Sequence, residues 1–229
     1  MAQLAQHLGA PRTTVFDILR TLEERRMVQR DAASGLYSLG LHTIELGYGA
    51  VRSFGVRRTL APVLQALNEE LDETVHLTVL DNQEVLYIDC YESSKRLRTY
   101  SVIGIRGPLH CTSVGKAILA WLPAEQQKEL LAAISYERFT EHTIVTPMDL
   151  MADLERTHAR GYSVDDVEHE EGVRCIGVPV FDHQGGVAAS ISVSGPTQRI
   201  SWERVPILAP RIMEAAAEMS RRLGHEHNQ

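Results

Sequence analysis

Apolar residues recur along the chain in two rhythms, and the switch between them predicts its elements. Leu4, Ala5 and Leu8 are spaced as on one helix face, and Val15, Ile18, Leu19 and Leu22 repeat that spacing. Gly9 separates the two runs, a residue suited to a helix stop that needs positive φ, and Pro11 suits the first turn of the next helix. Met27–Arg30 then alternates, residues 31–35 form a turn, and Leu36–Leu39 alternates again, which predicts a β-hairpin. A connecting helix is predicted over His42–Val51, softened by Gly47 and Gly49, and a longer one over Val56–Leu71 with Pro62 in its early turns.

Beyond Leu71 short apolar runs alternate with helical patterns. Val75–Leu80 and Glu84–Asp89 flank the turn 81–83, and a third strand is predicted over Arg98–Ile103. Helices follow at Val114–Trp121, Ala124–Ile134 and Pro147–Arg160, the last closed by Gly161. Two strands, Val173–Phe181 and Val187–Val193, flank the turn 182–186, and a final helix is predicted from Trp202 to Leu223, with Pro206 and Pro210 near its start. The fold class is α+β: a small helix–hairpin unit joined to a mixed α/β sheet domain, with no internal repeat.

Composition changes this picture little. Hydrophobic residues make up 44% of the 229-residue chain, enough for a real core. No apolar run is long enough for a membrane helix and the first residues lack an apolar leader, so a cytoplasmic location and no membrane partner are expected. Cys90, Cys111 and Cys175 are odd in number and far apart, which predicts reduced thiols, no zinc site and no cofactor. The net charge of −7 is unevenly spread, +1 over residues 1–44 and −8 over the rest, so any DNA-facing basic patch is local.

Two helices followed by a hairpin make a winged helix-turn-helix, whose second helix enters the major groove. Its outward face carries Arg12, Thr13, Thr14, Phe16, Asp17 and Arg20, and the wing begins at Arg30. Arg12 and the two threonine hydroxyls suit phosphates or base edges. In the larger part, Ser190, Ser192 and Ser194 share one face of an otherwise apolar strand. Burying unpartnered hydroxyls costs about 1–3 kcal/mol each, so the stripe is either solvated or lines a polar site. Thr112–Lys116 opens a helix and offers further donors.

The segment LGAPRTTVFDILRTLEERRMVQRDAASGLYSLG at 8–40 resembles the IclR family of regulators, as do PLHCTSVGKAILAWLP at 108–123, GYSVDDVEHEEGVRCIGVPVFDHQGG at 161–186 and AASISVSGP at 188–196. The resemblance covers nearly the whole chain. It implies a winged helix-turn-helix at 1–41, a linker helix at 42–55 and a GAF-like effector-binding domain at 56–229. Family members usually carry one more helix before the pair, so the winged helix is expected to be incomplete. They also usually carry a basic residue where Asp17 stands. The implied effector site comprises Thr112, Ser113, Val114, Asp165, Val173, Cys175, Ser192 and Ser194. The implied partners are double-stranded operator DNA, a small carboxylic acid such as a sugar acid or 2-oxo acid, and further copies of the chain in a dimer or tetramer. Two other readings compete: a ligand-sensing module that has lost DNA binding, suggested by the short winged helix and Asp17, and a cysteine-dependent enzyme using Cys111 or Cys175. The acidic run Glu168–Glu171 is expected to be solvated rather than metal-binding, and Lys116 to cap or pair.

Overall fold

The computed structural model describes residues 2–53, 55–99 and 103–226, and the chain divides into two units at Gly55/Val56. The first contains α1 (Ala2–Leu8), α2 (Arg12–Glu24), β1 (Val28–Arg30), β2 (Tyr37–Leu39) and α3 (His42–Ser53). Gly9 turns the chain between the helices at φ +59°, where a side chain would strain the backbone. Pro11 caps α2 from outside rather than occupying its first turn. β1 and β2 pair antiparallel with Val28 opposite Leu39, as a wing hairpin requires. The wing turn is held by Asp31, whose carboxylate accepts from the Ser34 backbone N–H and hydroxyl. The core of this unit is small. Among the described residues its buried hydrophobic side chains are Ala5, Val15 and Leu19, backed by Ala10, Val28 and Tyr37. The predicted stripe is therefore too broad: Leu4, Leu8 and Ile18 are exposed, because two short helices and a two-stranded ribbon cannot cover both flanks of a helix.

The second unit is built on a six-stranded antiparallel sheet in the order β5-β4-β3-β8-β7-β6. Its strands are β3 (Thr74–Asp81), β4 (Glu84–Tyr91), β5 (Arg106–Pro108), β6 (Ser163–Asp166), β7 (Val173–Phe181) and β8 (Val187–Pro196). Against one face pack α4 (Gly55–Leu71) and α8 (Val205–Arg222), burying Leu60, Leu64, Leu208 and Ile212 against Val75, Leu77, Ile176 and Ile191. Against the other lie α5 (Ser113–Leu119), α6 (Ala124–Ala133) and α7 (Pro147–Arg160), with a second core around Val114, Ile118, Leu119, Leu150 and Leu154. The cap signals of α7 are present: Thr146 accepts from the Asp149 N–H, and Gly161 closes the helix at φ +85°.

Three expectations change. The third strand is Arg106–Pro108, not Arg98–Ile103. Arg98 and Thr99 are unpaired coil, Ile103 is in a turn, and residues 100–102 lie outside the described residues. Gly104 at φ +91° bends the chain, and pairing with β4 starts only where the Gly104 N–H meets the Tyr87 carbonyl. The short strand β6 has no alternation to announce it, and it forms because β7 supplies a paired edge. α8 starts at Val205, three residues later than expected, which puts Pro206 in its first turn.

Candidate functional site

The serine stripe of β8 is buried, not solvated. Ser190, Ser192 and Ser194 are 0%, 2% and 3% exposed. They face a matching stripe on β3, with Thr78 opposite Ser190, His76 opposite Ser192 and Thr74 opposite Ser194. The hydroxyls satisfy one another. Ser190 Oγ lies 2.7 Å from Thr78 Oγ1 and donates to the Val114 carbonyl. His76 Nδ1 lies 3.2 Å from Ser192 Oγ and 3.3 Å from Ser194 Oγ. Burial pushes His76 down to about 4, so its imidazole is neutral near pH 7.

Over the Ser192–Ser194 end the sheet and the segments above it enclose a cavity of about 130 Å³. Thr112, Ser113, Asp165, Val173, Cys175, Ser192 and Ser194 line it, seven of the eight residues expected from the resemblance. Val114 does not. Its side chain belongs to the core between α5, α6 and α7, as the helical phase after Ser113 requires. Residues that the sequence reading passed over complete the lining: His76, Tyr87, Thr99, Ile105, Arg106, Gly107, His169 and Glu170. For His76 a signal was present, since Thr74, His76 and Thr78 alternate with Val75, Leu77 and Val79 just as the serines alternate on β8. The cavity holds only a compact ligand, as liquid water occupies about 30 Å³ per molecule.

α5 sits unusually close to the sheet because glycine lets it. A Cβ at Gly177 would stand 2.4 Å from the Ser113 carbonyl oxygen, and Ser163 Oγ donates to that same oxygen at 2.5 Å. Thr112 caps α5, accepting from the Gly115 N–H at 3.1 Å. Behind the cavity lies a buried ion cluster. Lys116 Nζ contacts Glu168 Oε1, Asp153 Oδ2 at 2.8 Å and the Val164 carbonyl at 2.6 Å. Burial works against its charge, but Glu168 and Asp153 outweigh it and hold the lysine pKa up. The expected pairing of Lys116 is thus met, whereas the expectation of a solvated acidic run fails at Glu168, which is 5% exposed because Lys116 draws it inward.

Asp165 is 4% exposed, and its Oδ1 accepts from the backbone N–H groups of Glu168 (2.8 Å) and His169 (3.4 Å). Burial first, and then the neighbouring Glu168, raises its pKa to about 7. Burial also raises the Cys111 and Cys175 thiols, the reverse of nucleophile activation. Cys90, Cys111 and Cys175 form no disulfide, and no metal-holding cluster of His, Cys, Asp or Glu occurs among the described residues.

A larger groove, about 1170 Å³, lies beside α8, lined by apolar groups such as Trp121, Phe181 and Met213. Its serine, Ser220, is already committed to the Ala216 carbonyl and the Phe181 N–H, and its Glu214 and Arg221 are ion-paired with Arg211 and Glu218.

In the first unit the predicted contact residues Arg12, Thr13, Thr14, Phe16, Asp17 and Arg20 are all exposed on α2, opposite Val15 and Leu19. Arg30 is exposed at the start of the wing, its guanidinium 5.9 Å from the Tyr37 ring centre.

An exposed second helix with a wing, joined in one chain to a sheet domain, is the architecture of a DNA-binding regulator. Residues 48–221 match the model of the bacterial transcriptional regulator IclR C-terminal domain and residues 1–32 that of the IclR helix-turn-helix domain, and the chain belongs to the IclR family of DNA-binding transcriptional regulators. It is 36% identical over 225 residues to the HTH-type transcriptional regulator KdgR of Escherichia coli, covering 98% of this chain and 86% of that one. It is 35% identical over 222 residues to the transcriptional repressor IclR of the same organism, covering 96% and 81%. The crystal structure of the Thermotoga maritima IclR superposes with a TM-score of 0.79 at 33% identity, covering 98% and 90% of the two chains. These relatives are regulators of transcription, not enzymes. Among the described residues no helix is long and apolar enough to cross a membrane.

Proposed function

We propose that this protein controls transcription by binding an operator as a dimer or tetramer, and that a small organic acid in the Ser192–Ser194 cavity changes its grip on that DNA. The cavity, with its buried and mutually bonded hydroxyls, carries the reading, because a plain core has no use for such a stripe. Ser192, Ser194, Thr112, Ser113 and Asp165 bind the acid, Val173 and Cys175 shape the wall, and Val114 acts only through its carbonyl bond to Ser190. Arg12, Thr13, Thr14, Phe16 and Arg20 read or position DNA, and Arg30 holds the wing to the backbone. An acid acts only if it binds the DNA-competent and incompetent states unequally. The test is twofold. Binding to the protein's own promoter at stated salt must be sequence-selective. A thermal-shift screen of small carboxylic acids must give a hit whose shift falls in Ser192→Ala and in Ser194→Ala.

Exposed Asp17 favours a second reading, a sensor with weakened DNA binding, since an acid on this face repels phosphates. Asp17→Arg separates the two. A gain in operator affinity supports a working reading helix, and no gain supports the sensor-only view. No catalytic role is assigned, as burial raises the thiols of both Cys175, which lines the cavity, and Cys111, which does not.

A further inference from the structure

Resting on the reading of this cavity as the effector pocket, we propose that it takes up a small organic anion together with one proton from solvent, held on Asp165 Oδ2 as the hydrogen-bond donor to the anion's carboxylate. Asp165 spends only Oδ1 on the protein. Among the described residues nothing hydrogen-bonds to Oδ2, and Asp165 lines the cavity.

The charges around it decide its state. From α5 comes Lys116, tied to Glu168 and Asp153. From α7 comes Asp153, which Arg156 also contacts at 3.1 Å. From the segment after β6 come Glu168, His169 and Glu170. Burial lowers His169, so it is neutral near pH 7. β7 presents Cys175, β3 His76, β4 Tyr87, and the turn before α5 Cys111, and burial holds each of these uncharged near pH 7. β5 presents Arg106, which is ion-paired at the rim with Asp81 and Glu84. Both lining or neighbouring cations are therefore ion-paired elsewhere, and the pull of Lys116 on Asp165 is outweighed by burial and by Glu168. A second anion entering beside an ionised, buried carboxylate would be repelled. Two carboxyl groups sharing one proton attract instead. The raising of Asp165 to about 7 agrees with this, and binding an anion raises it further. An ionised Asp165 suits the opposite ligand class, a neutral polyol donating hydroxyls, and the two classes respond to pH in opposite senses.

The test is isothermal titration of the full chain with glyoxylate, pyruvate, lactate and gluconate between about pH 6 and pH 9, in phosphate and in Tris, whose ionisation heats differ. The expected result for a binding acid is constant affinity below about pH 7 and a loss of about tenfold per pH unit above it. Near pH 8 the heats should report uptake of close to one proton. Asp165→Asn keeps a donor at that position, so the variant should lose the pH dependence and bind better than the parent near pH 9. An acid that binds with flat pH dependence and no proton uptake overturns the proposal and leaves the pocket assignment standing. Failure of all four acids across the whole range defeats both. One arm needs no ligand: infrared difference spectra between about pH 5.5 and pH 8.5 should show a protonated carboxyl band that vanishes in Asp165→Asn. Its absence from the parent protein overturns the proposal.

Discussion

The two units of this protein treat their polar chemistry in opposite ways. In the winged unit every candidate contact residue is exposed, on a scaffold with three buried apolar side chains among the described residues. In the sensor unit the candidate residues are almost all buried, in a scaffold with two large cores. The difference follows from the partner. Duplex DNA is larger than the domain and must be met on the surface, where phosphate contacts and groove readout do the work. A compact acid is smaller than one side-chain layer and has to be surrounded, so its donors must be dry, preorganised and already bonded to one another. A further lesson concerns robustness: the exposed reader tolerates polar changes but has no apolar reserve, while the sensor has apolar reserve but little tolerance for an unpaired charge.

Four measurements break or sharpen that contrast. The largest effect belongs to Lys116→Met, which leaves Glu168 and Asp153 buried without their cation. We expect a loss of about 3–5 kcal/mol in urea unfolding of the sensor, with the winged unit's transition unmoved. Equal loss in both units breaks the comparison. Next, Leu19→Ala removes one of three buried side chains of the reader and should cost about 2–3 kcal/mol. Operator binding is then lost while the thermal shift with an acid persists. Smaller again, Ser192→Ala and Ser194→Ala should each weaken a binding acid about five- to tenfold by calorimetry, the worth of one hydrogen bond at about 1–1.5 kcal/mol, without loss of operator binding. Smallest, Arg12→Ala should lower operator affinity only severalfold and reduce the salt dependence by about one counterion, because its contact is exposed. A hundredfold loss there would mean Arg12 reads a base rather than a phosphate.

How much was legible in the sequence differs between the same two regions. For the reader, periodicity was nearly enough, since the face opposite Val15 and Leu19 is the exposed one. It overreached only at Leu4, Leu8 and Ile18, where nothing in the chain pattern reveals that no neighbour arrives. For the sensor, alternation put Ser190, Ser192 and Ser194 on one face but left open whether that face was wet. The family resemblance named Val114 for its main-chain groups, and its side chain packs into the core between α5, α6 and α7. His76, Tyr87 and Arg106 come from strands distant in sequence, and Glu168 sat in an acidic run that reads as solvated.

By itself the sequence determined what depends on neighbours along the chain: the turn at Gly9, the wing hairpin, the caps of α7 and the strand faces, all fixed by backbone preference and side-chain period. Tertiary structure alone decided which faces are dry, where the third strand lies, and that Lys116, Glu168 and Asp153 share one buried cluster behind the cavity that Asp165 lines. Burial and charge balance are sums over everything packed nearby, and here those neighbours lie as far apart in the chain as His76 and Ser192.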